Sequence, residues 1–152
     1  TPLFESIVTP ALDQTSRTVL VASGSTLLAI DADSPTVRWS VALNNPVVNA
    51  SPLVVRDWRS PARVFITDYD GFGDSASLYA IALDPHASSP ASAAAAPGDI
   101  LWSVPIGASS GNSPAYDPRR ASVLTAAVGL YASGPGQVFA FDAFAPGPPA
   151  LP

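Results

Sequence analysis

The sequence lacks cysteine and lysine and contains a single histidine, His86. Without cysteine, the chain can form no disulfide, no thiolate metal site and no cysteine nucleophile. All of its basic residues are arginine and the net charge is −5, so no basic run could follow a phosphate backbone. Nucleic acid is therefore a poor candidate partner, and a site that needs two imidazoles cannot be built from this sequence.

Long apolar runs and methionine are also missing. No run reaches the roughly 18 to 20 residues that a membrane-spanning helix needs. The sequence begins at Thr1 and is rich in Ser, Thr, Ala and Pro. This combination favours a processed exported protein or an excised fragment, so we expect an extracytoplasmic location, whether periplasmic, cell-surface or secreted.

Charged residues make up only 12% of the 152 residues, whereas hydrophobic residues make up 47%. That hydrophobic content is ordinary for a folded domain with a core. The 17 prolines and 10 glycines indicate many turns in place of long helices. The composition therefore predicts an all-β fold.

Strand-like runs recur along the chain in three similar units. Each unit opens with a Ser/Thr-Pro pair, at Pro10, Pro52 and Pro114. The spacing from Pro10 to Pro52 is about 40 residues, which matches the roughly 40 to 50 of a four-stranded propeller blade. The predicted strands are 9–12, 18–22, 27–32 and 37–41 in the first unit, 51–54, 63–67, 78–83 and 100–104 in the second, and 113–116, 122–126 and 138–142 in the third.

These units predict antiparallel β-propeller blades, about three of them, in an incomplete ring. The predicted divisions are 1–43 for blade 1, 44–107 for blade 2 with loop insertions at 68–75 and 86–98, 108–143 for an incomplete blade 3, and 144–152 for a Pro-rich tail. A closed propeller needs roughly four to eight blades. Uncovered blade faces and strand edges are normally paired or capped, so we expect a protein partner, the remaining blades or self-association.

One segment of each unit resembles the PQQ-like (quinoprotein-type) β-propeller repeat. The segments are Leu27-Leu28-Ala29-Ile30-Asp31 followed by Trp39, Leu78-Tyr79-Ala80-Ile81 followed by Trp102, and Val138-Phe139-Ala140-Phe141-Asp142 without a Trp. Ser34-Pro35-Thr36 replaces the family's usual turn, and Ala82 stands where its Asp would be. The resemblance covers residues 9–142. We expect Trp39 and Trp102 to pack in the core, with the indole N–H finding an acceptor.

The resemblance implies two alternative functions. Family members include quinone-dependent dehydrogenases, which carry a vicinal disulfide, Ca²⁺ and a catalytic Asp, and also non-catalytic scaffolds. Since cysteine is absent and no residue matches a cofactor-ligand motif, the expectation is a non-catalytic protein-binding or assembly scaffold in an exported protein. The alternative is a part of a PQQ-dependent dehydrogenase whose catalytic residues lie outside this chain.

Two places in the sequence are candidate sites. Asp68, Asp70 and Asp74 lie in a Gly-rich loop, where their carboxylates could converge on Ca²⁺. The alternative is a solvated hairpin loop in which Asp and Gly supply the turn geometry. Trp58 lies outside the repeat pattern and could anchor a protein partner, or else pack against a neighbouring loop.

Overall fold

A computed structural model describes residues 8–57, 60–70, 75–84, 95–107, 111–127 and 136–147. Within these ranges all regular structure is β-strand, so the all-β prediction is confirmed. The eleven strands found there are Ala11–Asp13 (β1), Thr18–Ser23 (β2), Thr26–Asp31 (β3), Val37–Ala42 (β4), Leu53–Asp57 (β5), Ser60–Thr67 (β6), Ala76–Ala82 (β7), Ile100–Gly107 (β8), Ala115–Asp117 (β9), Ser122–Ala127 (β10) and Gln137–Asp142 (β11).

The strands form three antiparallel sheets, one from each unit of the sequence. Sheet I has the order β1-β2-β3-β4, sheet II the order β5-β6-β7-β8, and sheet III the order β9-β10-β11. In each sheet, strands that are consecutive in sequence lie side by side. Turn residues explain some of the reversals; for example, Gly24 between β2 and β3 has φ 57°, a conformation that glycine adopts without strain.

The sheets share one pairing register. Ala29 pairs with Leu20 in sheet I, Ala80 with Phe65 in sheet II, and Ala140 with Leu124 in sheet III. On the other side of the same alanines, Trp39 pairs with Ala29 and Trp102 with Ala80, and an irregularity follows at once in both sheets. The sequence repeat is therefore a structural repeat, and equivalent positions can be compared between sheets.

Sheet II lies between the other two sheets and is buried on both faces. Side chains of β6 and β7 alternate between two hydrophobic cores, as strand geometry requires. The core shared with sheet I contains Leu20, Ala22, Leu27, Ala29, Val64, Ile66, Tyr79 and Ile81. The core shared with sheet III contains Phe65, Leu78, Ala80, Trp102, Val104, Val123 and Phe141.

The two repeat tryptophans differ in burial. Trp102 is 3% exposed, with ring centroids 5.7 Å from Phe65 and 6.3 Å from Phe141. Its core position is as predicted, but its indole N–H has no acceptor among the described residues, contrary to expectation. The physical reason is that the ring lies between phenyl groups, which offer no lone pair. Trp39 is half-buried and packs beside Gly98, where a Cβ would lie 3.3 Å from the indole.

In the part of the chain that the structure describes, no helix is long and apolar enough to cross a membrane.

Candidate functional site

The outer face of sheet III is the surface that faces away from sheet II. Its apolar part consists of Ala115, Leu124, Ala126, Val138 and Ala140, which the register places on one side of the sheet. Leu27, Leu78 and Val138 occupy the same position in the three sheets. Leu27 and Leu78 are 0% exposed, whereas Val138 is 75% exposed. In sheets I and II the side chain at this position is covered by the next sheet. In sheet III the side chain at the same position is exposed.

The other residues of this face are also more exposed than their equivalents in sheet I. Leu20, Ala22 and Ala29 of sheet I are at most 4% exposed, because sheet II covers them. Their equivalents in sheet III are half-buried at Leu124 and Ala126 and exposed at Ala140. These five residues are apolar, and the register adds Ser122, Asp117 and Asp142 at one end of the face. The apolar part has the composition of a core surface without a covering layer.

Sheet I presents a different apolar face at the other end of the stack. Its outer face is formed by Leu12, Val19, Val21, Leu28 and Ile30. Leu12 is 53% exposed and the other four are half-buried. The equivalents of those four in sheet II are Val64, Ile66, Tyr79 and Ile81, all buried against sheet I. Inside the stack, a face of the kind found on the outside of sheet III packs against a face of the kind found on the outside of sheet I. The two ends of the stack therefore carry the two faces that pair with each other inside it.

A series of hydroxyl contacts links the starts of the repeats. The Thr9 amide donates to Ser51 Oγ at 3.3 Å, and the Ser51 amide donates to Ser113 Oγ at 2.8 Å. These residues belong to the Ser/Thr-Pro pairs that open the three units. The Ser113 amide has no acceptor among the described residues. The series therefore ends on an open donor beside the outer face of sheet III.

Asp68, one of the predicted metal ligands, lies at the end of β6 and is 0% exposed. Its Oδ1 accepts a hydrogen bond from the Ser77 amide at 2.7 Å. Its Oδ2 accepts from the Tyr79 hydroxyl at 2.8 Å and the Asn45 amide at 3.0 Å. The Asn44 amide in turn donates to the Tyr79 hydroxyl at 3.1 Å. The carboxylate thus links sheet II to the segment that follows sheet I.

The solvated-loop interpretation is wrong for Asp68, because three donors hold its carboxylate inside the protein. Asp70 accepts a hydrogen bond from the Ser75 amide through Oδ2, and its Oδ1 is buried with no partner among the described residues. Asp74 and Trp58 lie outside the described residues. Within the described ranges, no three acidic, His or Cys side chains are grouped as a metal site. The Ca²⁺ and Trp58 interpretations stay predictions.

In comparisons with known proteins, no protein family matches the sequence, and no curated protein matches it significantly.

Arginine side chains make further polar links between the sheets. Arg56 of sheet II donates through Nε to Asp13 of sheet I at 2.8 Å and also pairs with Asp84. Burial disfavours ionised Asp13, but the hydrogen bonds from Arg56 and Ser16 outweigh burial and hold its pKa well below the usual range.

Arg63 joins sheet II to the turn that follows β11. The side chain, in a residue only 8% exposed, donates to the backbone oxygens of Ala143 at 3.0 Å, Phe144 at 3.2 Å and Ala145 at 2.8 Å. Its guanidinium carbon also lies 5.6 Å from the Phe144 ring centroid. Burial lowers the pKa of Arg63, with Asp142 opposing the shift. Sequence analysis missed these links because each joins residues that are far apart along the chain.

The raised pKa of the buried Tyr79 hydroxyl predicts that the protein loses stability at alkaline pH. Burial, together with the Asp68 carboxylate, raises the pKa of Tyr79 from 10.0 to about 12, against the opposing bond from the Asn44 amide. The folded state therefore holds this proton more tightly than the unfolded state does. The associated stability is complete below pH about 10 and is lost as the pH rises to about 12.

The test is urea unfolding at a series of pH values. Tyr79→Phe should lower the free energy of unfolding near neutral pH by about 1 kcal/mol and remove the Tyr79 part of the alkaline decline. An equal decline in the wild type and in Tyr79→Phe would contradict the assignment.

Proposed function

We propose that this chain is a non-catalytic assembly scaffold of an exported protein, built from PQQ-like propeller blades, which binds a further β-sheet on the outer face of sheet III. The observation that carries the proposal is the exposure of Val138, 75%, against 0% for Leu27 and Leu78 at the same position. An apolar face that is open on one sheet and covered on two others is suited to a partner of the same shape.

The sheet architecture supports the propeller part of the proposal. Sheets I and II are four-stranded antiparallel meanders, and the three sheets share one register and stack face to face. In sheets I and II a small alanine faces a tryptophan of the fourth strand. These features are typical of propeller blades.

The polar interior supports a scaffold role. The Asp68 carboxylate accepts hydrogen bonds from Ser77 and Tyr79 of its own sheet and from the backbone amide of Asn45, in the segment that follows sheet I. Arg63 donates to backbone oxygens of the turn that follows β11. Asp13 is held by Arg56 across the boundary between sheets I and II. Each of these groups fixes one sheet against the next. A rigid stack of this kind presents its outer faces in a defined geometry, which is what an assembly scaffold needs.

Site-specific photo-crosslinking tests the proposal. A photoreactive amino acid would replace Val138 in the native host, with the same change at Ser103 as a matched control. Ser103 is also exposed on an edge strand but lies on neither outer face of the stack. We expect a discrete adduct from position 138 only, and mass spectrometry should place the crosslinked peptide in a β-strand of the partner. The same adducts from both positions, or none from either, would overturn the proposal.

A further inference from the structure

We infer that the sheet that covers the outer face of sheet III is sheet I of a second copy of this chain, an inference that rests on the proposed function. The molecule already contains this type of interface twice. Sheet I packs its Leu20 and Ala29 side against sheet II, and sheet II packs its Phe65 and Ala80 side against sheet III. A second copy in the same orientation would form the interface a third time.

The side chains at the two ends match this arrangement. Leu124, Ala126, Val138 and Ala140 of sheet III correspond to Leu20, Ala22, Leu27 and Ala29 of sheet I, so three of the four residues are identical and one is a Leu-to-Val change. The face that covers the sheet I set is made of aliphatic and aromatic side chains of sheet II. The outer face of sheet I supplies Val19, Val21, Leu28 and Ile30 at the same positions. The matched side chains are apolar on both surfaces, and the charged residues of the sheet III face, Asp117 and Asp142, lie together at one end of it.

The hydroxyl series fixes how the two copies would be aligned. Inside the molecule, each unit donates its opening amide to the hydroxyl of the next unit, from Thr9 to Ser51 and from Ser51 to Ser113. In the assembly, the Ser113 amide would donate to Thr9 Oγ1 of the second copy. This bond would give the Ser113 amide, which has no acceptor among the described residues, the same kind of partner that the Thr9 and Ser51 amides have.

The contact is head-to-tail, because the two surfaces involved are different. Each copy offers one face of each kind, so association continues beyond a dimer and produces a ring or an open fibre, depending on the rotation between copies. A symmetric dimer would instead pair two identical faces. Head-to-tail association can therefore be distinguished from a symmetric dimer by blocking one end of the stack at a time.

The test uses two purified variants, each blocked at one end. Val138→Glu places a charge on the outer face of sheet III, and Leu28→Glu does the same on the outer face of sheet I. Leu12→Glu is a second variant of that end, at a residue 53% exposed, so a folding defect is not expected. Circular dichroism and thermal melting would establish that each variant is folded, and Ser103→Glu is the control at a site outside both faces.

Analytical ultracentrifugation over a dilution series gives the result. We expect the wild type and Ser103→Glu to grow in mass with concentration, and each blocked variant to remain monomeric alone. An equimolar mixture of Val138→Glu with Leu28→Glu or Leu12→Glu should form a dimer and no larger species, because only one pair of intact faces is left. Thr9→Val should weaken association about five-fold, whereas Thr9→Ser should not.

Two outcomes would overturn the inference: a wild type that is monomeric at every concentration, or a mixture of blocked variants that does not dimerise. A crosslink from position 138 to a strand of a different protein would then leave the proposed scaffold function standing with another occupant. Absence of both self-association and crosslinking would remove the proposed function as well.

Discussion

Asp68→Ala should lower the free energy of unfolding by about 3 kcal/mol or more. The carboxylate accepts hydrogen bonds from the Ser77 amide, the Asn45 amide and the Tyr79 hydroxyl, and the residue is 0% exposed. Removing it leaves these donors without their acceptor at the boundary between sheets I and II. Bonds to a charged acceptor contribute more than neutral ones, so the loss should exceed that of an ordinary hydrogen bond.

Urea unfolding measures this loss, with Asp33→Ala as the matched control. Asp33 pairs with Arg17, but its side chain is 60% exposed. Asp33→Ala should therefore cost at most about 1 kcal/mol. In a double-mutant cycle, Asp68→Ala and Tyr79→Phe should be coupled by about 1 kcal/mol or more, because they remove the same bond. Equal losses from Asp68→Ala and Asp33→Ala would show that Asp68 does not hold the two sheets together.

Trp102→Ala should cost about 3 to 5 kcal/mol, because it empties the core between sheets II and III. The indole lies between Phe65 and Phe141 and is almost fully buried. Trp39→Ala is the matched control at the equivalent position of sheet I. Since Trp39 is only half-buried, its replacement should cost roughly half as much.

Trp102→Phe separates packing from hydrogen bonding. The indole N–H has no acceptor among the described residues, so its removal should carry no hydrogen-bond penalty. We expect Trp102→Phe to cost only about 1 to 1.5 kcal/mol, from lost volume. Guanidinium unfolding of the three variants gives the comparison. A loss from Trp102→Phe as large as that from Trp102→Ala would mean that the N–H makes a bond the described contacts do not contain.

The strands and the burial of Trp102 could be predicted from the sequence because both depend on local patterns. Alternation of apolar residues and the recurring Ala and Trp positions lie within single strands or hairpins. The exposure of Val138 could not be predicted in the same way. The exposure depends on which face of a sheet has a neighbouring sheet. The local sequence pattern around Val138 is the same as that around Leu27 and Leu78. Only the comparison of equivalent positions in three dimensions separates them.

The polar contacts were missed for a related reason. Asp68, Asp70 and Asp74 have the local spacing of a cation loop, and that spacing is equally compatible with a buried acceptor of backbone hydrogen bonds. The partners that decide the matter for Asp68 include Asn45, which lies 23 positions earlier in the chain. The bond from Ser51 to Ser113 spans 62 positions. A Ser/Thr-Pro pair therefore indicates a turn in the sequence, whereas its hydroxyl contact becomes visible only when the sheets are stacked.

Cysteine labelling is the most direct test of an open outer face on sheet III that takes up another sheet. Because the chain has no native cysteine, single cysteines at positions 27, 78 and 138 can be compared without background. We predict that a thiol reagent reacts slowly with positions 27 and 78 at every protein concentration. Position 138 should react fast in dilute solution and become protected as unlabelled wild-type protein is added. Fast reaction at 27 or 78 would contradict the stacking of the sheets, and fast reaction at 138 that added protein never slows would contradict docking of a second copy on the outer face of sheet III.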